Sequence, residues 1–230
     1  MCIAILNTSG TLDKQTFQTC WKNNPDGGGL AWNEGGKLQI FKEMKQVDRL
    51  YSKYQRIRKH NTRANILIHF RVATHGKINA TNCHPFLVNK NLAFIHNGII
   101  SGAGLETHAD FSDTYLFNQL ILQKLPRDFT TNEAILNLLA QYIDYSKLIF
   151  LDSFDNWTIV NEDLGHWDGG NWYSNESYKA CKMKHSAPRY YGYGASYCDI
   201  CSNEAKTKFS PEFNLEICAE CMRRYESAIY

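Results

Sequence analysis

The sequence predicts an α+β fold in which antiparallel sheets stack face to face and helices pack outside them. The predicted elements follow the order strands, helix, strands, two helices, strands, and such segregation argues against an alternating parallel α/β fold. A chain of 230 residues can bury one substantial core with a small appendage. Hydrophobic residues make up 43% and charged residues 21%, which is typical of a folded globular protein.

Apolar spacing predicts each element in turn. Residues 2–6 are a short apolar run that predicts a buried strand, and residues 46–60 carry apolar side chains at helical spacing. The further predicted strands are residues 30–32, 38–41, 66–70, 86–88, 92–95, 148–151 and 158–160. The further predicted helices are residues 12–21, 113–125 and 132–143, with Ser112 as a cap. Residues 27–29 are all glycine and predict a turn.

A change of composition after Tyr178 predicts the organisation of the chain. Residues 178–197 contain four lysine and arginine side chains, five tyrosines and no acid, which indicates a linker or an ordered strap. We therefore expect a main domain over residues 2–178, a linker or strap over residues 179–197 and a second unit over residues 198–230.

Charge and hydropathy exclude several classes of function. The formal net charge of +2 gives no global attraction to nucleic acid or to anionic lipid. No segment approaches the roughly 18 uninterrupted apolar residues of a membrane span, and the apolar run after Cys2 is too short for a signal peptide. We expect a soluble, cytoplasmic protein without a membrane partner. A lipid attached to Cys2 is the weaker interpretation of that residue.

Four of the eight cysteines predict a structural zinc site in the second unit. Cys198 and Cys201 form one CxxC pair, and Cys218 and Cys221 form another. Each pair places two thiolates on one turn, and two pairs complete the tetrahedron that Zn²⁺ prefers. Free thiols or a redox pair are the alternatives. A unit this short cannot fold on a hydrophobic core of its own and needs a bound metal. We therefore expect the zinc to have a structural role.

The partner of the second unit is expected to be a protein. Residues 198–230 carry six acidic against four basic side chains, so a nucleic-acid interface has little support there. The basic, tyrosine-rich strap is the better candidate for nucleic acid, but its few cations remain a weak signal.

Cys2, directly after the initiator methionine, has two compatible interpretations. It can begin a core strand as a small hydrophobe. It can also act as a nucleophile if Met1 is trimmed, because it would then carry a thiol and a free α-amine on one carbon. An α-amine has an ordinary pKa of about 7.7–8.0, which suits a general base that takes the thiol proton at neutral pH.

Five segments in order carry a family resemblance. They are "MCIAI", "PDGGGLAW", "HFRVATHG", "IHNGII" and "FSDTY", and the later "GGNWYSNESY" extends the likeness over about residues 2–178. In these segments the chain resembles the class II glutamine amidotransferase domain, an N-terminal-nucleophile hydrolase. The resemblance implies a four-layer αββα sandwich. It also implies that Cys2 attacks the side-chain amide of L-glutamine.

The resemblance also assigns an oxyanion hole to Asn97 and Gly98. Attack on a carboxamide builds negative charge on its oxygen, which needs hydrogen-bond donors fixed beforehand. Asn97 offers its side-chain amide, and Gly98 lets its backbone N–H approach closely. The alternative is an ordinary Asn-Gly hairpin turn between residues 93–95 and 99–100.

The head group of the substrate is assigned to two charged residues. Arg71 suits the carboxylate of a free amino acid because a guanidinium can donate two parallel hydrogen bonds, and Asp113 suits the ammonium. The resemblance places Thr74, His75 and Gly76 in the same pocket. The alternatives are a surface charge at the end of a strand for Arg71 and an ordinary first-turn acid of a helix for Asp113.

The chain departs from the family pattern at Val72, where an aromatic residue often follows the arginine, and this puts the detailed substrate preference in doubt. His69, His75, His84 and His96 invite a metal or protease interpretation, but we expect most of them to be pocket or core histidines.

Three hypotheses of function follow. The first is a glutaminase that supplies ammonia to an acceptor enzyme on another chain, since the region beyond the resemblance is too small for a synthetase. The second keeps Cys2 but hydrolyses a γ-glutamyl amide on a larger molecule. The third is a catalytically silent scaffold whose zinc unit binds a protein or nucleic acid.

Overall fold

A computed structural model describes most of the chain. It covers residues 2–8, 10–74, 76–102 and 110–179, together with the short stretches 196–197, 204–205, 207–210, 215–220 and 222–223. The chain divides into two compact units, Met1–Cys181 and Lys182–Tyr230. The three-part assignment made from composition stays a prediction. Among the described residues, no helix combines the length and the apolar character that crossing a bilayer requires.

The described part of the first unit contains ten strands and four α-helices. The strands are β1 (Ile3–Asn7), β2 (Gly28–Glu34), β3 (Lys37–Glu43), β4 (Ile66–Phe70), β5 (Phe86–Asn89), β6 (Leu92–Asn97), β7 (Lys147–Asp152), β8 (Trp157–Val160), β9 (His166–Asp168) and β10 (Asn171–Tyr173). The helices are α1 (Lys14–Asn23), α2 (Val47–His60), α3 (Asp113–Leu120) and α4 (Glu133–Ile143).

These strands form two antiparallel sheets. The larger has six strands in the order β3-β2-β4-β1-β10-β9, and the smaller has four in the order β5-β6-β7-β8. In the centre of the larger sheet, Ile5 of β1 lies opposite Ile68 of β4 on one side and Tyr173 of β10 on the other. The N-terminal strand is therefore held between two others, which fixes the position of the residue that precedes it.

Three hydrophobic cores separate the layers. Alternate residues of β1 face opposite sides of the sheet: Ile3 and Ile5 pack against α1 and α2, whereas Ala4 and Leu6 face the smaller sheet. The third core lies between the smaller sheet and the helices α3 and α4. The order of layers is helices, sheet, sheet, helices, which confirms the predicted αββα sandwich.

Two elements differ from the sequence prediction for physical reasons. The helix predicted over residues 113–125 is α3 followed by a short 3-10 turn, because Ile121 leaves the helical region (φ −121°, ψ −68°) and Pro126 disfavours helix just before it. The predicted cap is confirmed, since the Ser112 hydroxyl accepts from the Tyr115 N–H.

The second difference concerns the glycine turn, since Gly28 and Gly29 belong to strand β2. A Cβ on Gly29 would collide with the His84 carbonyl and lie 2.7 Å from Cδ of Pro85, so the glycine permits close packing within the sandwich.

The second unit contains two small hairpins among its described residues. They pair β11 (Ser196–Tyr197) with β12 (Glu204–Ala205) and β13 (Thr207–Ser210) with β14 (Leu215–Cys218). Ile217 and Cys218, at the end of β14, are buried.

Candidate active site

Cys2 lies one residue before β1, at the end of the sheet where β4 finishes. The first paired residue of the chain is Ile3, opposite Phe70. The Cys2 Sγ accepts from the Val72 N–H at 3.2 Å and lies 3.3 Å from the Val72 carbonyl oxygen, to which the thiol can donate. The backbone after β4 therefore holds the thiol from one side.

The surroundings of Cys2 favour the neutral thiol. Burial raises the pKa of the Cys2 thiol, while the hydrogen bond from Val72 and the charge of Arg71 oppose this rise in part. A thiol with a raised pKa stays protonated at neutral pH, so nucleophilic attack requires a base that removes its proton.

Asn97 is the last residue of β6 and is almost completely buried. Its Nδ2 donates to the Cys2 carbonyl oxygen at 2.6 Å. An amide nitrogen carries two N–H groups, so one of them remains for another acceptor. Because β6 pairs with β5 and β7 and residues 99–100 form no strand with it, the hairpin-turn interpretation of Asn97 and Gly98 is wrong.

Gly98 has a conformation that other residues rarely adopt. Its φ is +139°, and a Cβ at this position would collide with the Ser146 hydroxyl and lie 2.7 Å from the Ser146 Cα. The Ser146 hydroxyl itself donates to the Ile99 carbonyl at 3.0 Å. A glycine is therefore required here, and its backbone is fixed against the loop that precedes β7.

Arg71 follows β4 directly and is only 3% exposed. Its backbone N–H donates to the Gly27 carbonyl at 2.8 Å, and its Nη1 donates to the Lys77 carbonyl at 3.1 Å. The interpretation of Arg71 as a surface charge is wrong. Arg71 directly precedes Val72, the residue that contacts the Cys2 thiol. A guanidinium held in place in this way can contribute directed donors to a bound anion.

Asn82 joins the two loops that flank the predicted pocket. Its Nδ2 donates to the carbonyls of Lys77 and Asp110 at 3.0 and 2.8 Å, and its Oδ1 accepts from the Ser112 N–H at 2.9 Å. Gly76 (φ +72°) packs so closely that a Cβ would lie 2.6 Å from the backbone of Phe111.

Of the other two predicted pocket residues, only Thr74 is described. Thr74 is exposed, and His75 lies outside the described residues.

Asp113 opens α3 and reaches back to the segment after Gly98. Its Oδ2 accepts from the Ile100 N–H at 2.8 Å, and its Oδ1 accepts from the Thr114 N–H at 2.7 Å. The carboxylate is thus a first-turn acid, as the plainer interpretation expected, and it also fixes the loop that carries the predicted oxyanion donors. Its role toward a substrate ammonium stays a prediction.

His69, His84 and His96 are buried close to this site, and Nδ1 of His96 lies 2.7 Å from the hydroxyl oxygen of Thr114 in α3. The ring centroids of His69 and His84 are 4.0 Å apart, and His69 Nε2 donates to the His96 carbonyl at 3.0 Å. Burial lowers the pKa of His69 to about 3 and that of His96 to about 4, so both are neutral at physiological pH. In the part of the chain that the structure describes, no three His, Cys, Asp or Glu side chains are placed to hold a metal ion.

Only one of the four predicted zinc ligands belongs to the described residues. Cys198, Cys201 and Cys221 lie outside the described residues. Cys218 is described and lies buried at the end of β14. The assignment of a four-cysteine metal site stays a prediction.

Two residues of this site escaped sequence reasoning. Asn82 joins the pocket loops, and Asn175, just after β10, donates from Nδ2 to the Cys2 carbonyl at 2.7 Å. Asn175 lies in the quoted segment "GGNWYSNESY", but no local pattern shows that it meets Cys2.

Comparison with known proteins decides the family. The family model described as glutamine amidotransferases class-II matches residues 4–141. The chain belongs to this family. A Haemophilus influenzae protein named "Putative glutamine amidotransferase" is 31% identical over 122 residues, which is 51% of this chain and 37% of that protein. The chain thus spans well under half of that relative's length.

The fold is similar to that of a solved amidotransferase structure. A glutamine phosphoribosylpyrophosphate amidotransferase from B. subtilis, complexed with ADP and GMP, matches 75% of this chain and 41% of its own with a TM-score of 0.50 at 16% identity. A glutamine aminotransferase class-II domain protein from Silicibacter pomeroyi matches 75% of this chain and 87% of its own at 14% identity, but its TM-score of 0.40 is too low to carry an argument.

Proposed function

We propose that this chain hydrolyses the side-chain amide of L-glutamine through a thioester on Cys2. The observation that carries the proposal is the convergence on Cys2: the Val72 backbone contacts its thiol, and the Asn97 amide contacts its carbonyl. A buried thiol beside a buried amide donor is the arrangement that nucleophilic attack on a carboxamide needs. Membership of the class-II glutamine amidotransferases supports the same reaction.

The proposed reaction begins with removal of Met1, which frees the α-amine of Cys2. That amine takes the thiol proton, and the thiolate attacks the amide carbon of the glutamine side chain. The charge that develops on the amide oxygen is stabilised by the second N–H of Asn97 and the backbone N–H of Gly98. The ammonium of Cys2 returns its proton to the leaving nitrogen, and ammonia departs. Water then attacks the γ-glutamyl thioester and releases glutamate and the thiol.

The substrate head group is proposed to bind between Arg71 and Asp113. The burial of Arg71 supports this proposal, because an ion pair with a substrate carboxylate is stronger where water is excluded. Asp113 adds the opposite charge near Ile100. Thr74, His75 and Gly76 complete the proposed pocket.

The ammonia is proposed to pass to an acceptor enzyme on another chain. Supply of ammonia to an acceptor is the general activity of the amidotransferase family, and this supports the proposal. The four cysteines of that unit are proposed to bind one structural zinc ion, since their paired spacing supplies four thiolates. A cytoplasmic location is part of the same proposal.

One assay tests the proposed function. Glutamate release from glutamine is measured for the wild type and for Cys2→Ala, with the intact mass recorded on the same wild-type sample. We expect a mass without Met1 and turnover that the substitution abolishes. A Met1-free protein without Cys2-dependent turnover of glutamine or of γ-glutamyl peptides would contradict the proposal and leave the silent scaffold. Turnover of γ-glutamyl peptides alone would favour the hydrolase of larger substrates, which Val72 beside the thiol makes a specific alternative.

A further inference from the structure

We propose that Asn175 is a positioning residue that fixes the Cys2 nucleophile through its backbone carbonyl. The inference deepens the proposed function, and its catalytic readout rests on that function. Asn175 Nδ2 donates to the Cys2 carbonyl oxygen at 2.7 Å, and Asn97 Nδ2 donates to the same oxygen at 2.6 Å. A carbonyl oxygen has two lone pairs, so two amides from opposite parts of the chain saturate it.

The orientation of the Asn175 amide is set by its own neighbour. Its Oδ1 accepts from the Ser177 N–H at 3.0 Å. Only the oxygen of an amide can accept from an N–H, so the nitrogen must point the other way, toward Cys2. The side chain is half-buried, which limits competition from water for these bonds.

The segment that carries Asn175 is tied to β1 in a fixed register. The Ser174 N–H donates to the Ala4 carbonyl at 3.0 Å, and the Ala4 N–H donates to the Ser174 hydroxyl at 2.9 Å. These bonds continue the pairing of β10 with β1 beyond Tyr173. Asn175 is therefore held at one position relative to Cys2.

Cys2 needs hydrogen bonds to its carbonyl because little else fixes its backbone. Strand pairing begins at Ile3, so no ladder bond fixes Cys2 itself. Once Met1 is removed, a single peptide bond attaches Cys2 to the protein, and rotation about its Cα–C bond would move the thiol and the amine together. Hydrogen bonds to the carbonyl oxygen restrict that rotation.

The bond from Asn175 also leaves Asn97 available for a second role. If Asn97 alone held the carbonyl, movement of its amide toward a developing oxyanion would release Cys2 during attack. With Asn175 on the same oxygen, the second N–H of Asn97 can serve the oxyanion while Cys2 stays in place.

The test compares Asn175→Ala and Asn175→Asp with Ser177→Ala in the full chain. The aspartate keeps the size of the side chain and loses the donor. Ser177→Ala keeps the backbone N–H that orients Asn175. For glutamine hydrolysis we expect kcat to fall about 10- to 100-fold in both Asn175 variants, with KM within about threefold of the wild type, because Asn175 acts on the nucleophile and not on the head group. Ser177→Ala should stay within about twofold.

A second measurement does not depend on glutamine turnover. The rate at which iodoacetamide alkylates Cys2 is followed by mass spectrometry, with Cys2→Ala as the background. Burial raises the pKa of Cys83 to about 11 and also raises that of Cys20, so these thiols react slowly. Both Asn175 variants lack one of the two hydrogen bonds to the Cys2 carbonyl, so the alkylation rate of Cys2 should rise about threefold or more in them. In Ser177→Ala the rate should equal that of the wild type.

The outcomes separate this inference from the proposed function. If the wild type releases no glutamate, the proposed function has failed and the alkylation rates alone decide the role of Asn175. Wild-type kcat in the folded Asn175→Asp protein, or alkylation rates equal to the wild type, would overturn the inference. Loss of the folded state in both variants, seen as loss of the thermal transition, would assign Asn175 to folding and overturn it as well.

Discussion

At the scale of single residues, the Cys2 thiol contacts the backbone of Val72, whereas side-chain amides hold the Cys2 carbonyl. Val72 contacts the sulfur through both its N–H and its carbonyl. Since burial raises the pKa of this thiol, its position alone does not make it reactive at neutral pH. Attack therefore needs a base close to the sulfur, and the α-amine that removal of Met1 would expose is adjacent to it by covalent structure.

Gly98 offers a direct test of how tightly the residue after Asn97 is packed. In Gly98→Ala the new Cβ would meet the side chain and the Cα of Ser146, at a φ of +139° that alanine avoids. We expect the free energy of unfolding to fall by about 2–5 kcal/mol, since strained backbone and overpacking add. Urea unfolding followed by tryptophan fluorescence measures the change.

Gly35→Ala is the matched control for the Gly98 substitution. Gly35 also has a positive φ, +60°, but a Cβ there has no neighbour within 4 Å. Its cost should be limited to the backbone term of about 1–2 kcal/mol. Equal losses in the two variants would contradict the close approach between Gly98 and Ser146.

At the scale of elements, a hydrogen bond between buried groups joins the two sheets beneath the site. His69 of β4 donates from Nε2 to the carbonyl of His96 in β6. Nδ1 of His69 and Nε2 of His96 are buried without a hydrogen-bond partner among the described residues. Protonation would place a charge there with nothing to receive it.

These histidines predict acid sensitivity with a definite sign. The unfolded chain binds a proton at the ordinary histidine pKa of about 6.5, whereas the folded chain resists protonation of His69 until the pH is about 3. The unfolded state therefore binds more protons in this window, and stability is complete above the unfolded pKa and falls as the pH is lowered toward the folded one.

Substitution of His69 isolates its share of this pH dependence. Between about pH 7.5 and pH 5.0, the unfolding free energy of the wild type should fall by on the order of 2 kcal/mol because of His69. The His69→Gln protein lacks this contribution, so its unfolding free energy should fall by about 2 kcal/mol less over the same range. Urea unfolding at the two pH values gives the difference. His60→Gln, which alters an exposed histidine, should follow the wild type. Parallel pH curves for all three proteins would refute the assignment.

The elements also show what sequence can and cannot predict. The strand predicted over residues 92–95 continues to Asn97, because the backbones of His96 and Asn97 still pair with Leu148 and Lys147 although the apolar run has ended. Periodicity follows side chains and misses backbone pairing of this kind.

Local sequence patterns predict some residues near Cys2 and miss others. Short local motifs predict Arg71 and Asn97 as site residues, and these roles stay predictions. Asn175 meets Cys2 across 173 positions of sequence, a contact that follows from the register of β10 on β1 and from no local pattern.

At the scale of the whole molecule, the chain combines a large sandwich with a small second unit, and the described parts of the two units differ in how much hydrophobic core they contain. The first unit contains three hydrophobic cores. The described part of the second contains two-stranded hairpins, and isolated hairpins are marginal in water without further support. Cys218 is buried at the end of one of them, where a metal–thiolate bond would anchor the strand.

Metal content tests this support directly. The purified chain should contain about one zinc ion, measured by elemental mass spectrometry, and Cys218→Ser should lose most of it, because three thiolates hold zinc less tightly than four. Cys181→Ser, which changes a cysteine outside both CxxC pairs, should keep its zinc. Chelation should expose residues 182–230 to proteolysis and leave the thermal transition of the sandwich in place, since the sandwich has cores of its own. A zinc-free wild type that resists proteolysis would show that the hairpins are stabilised in another way.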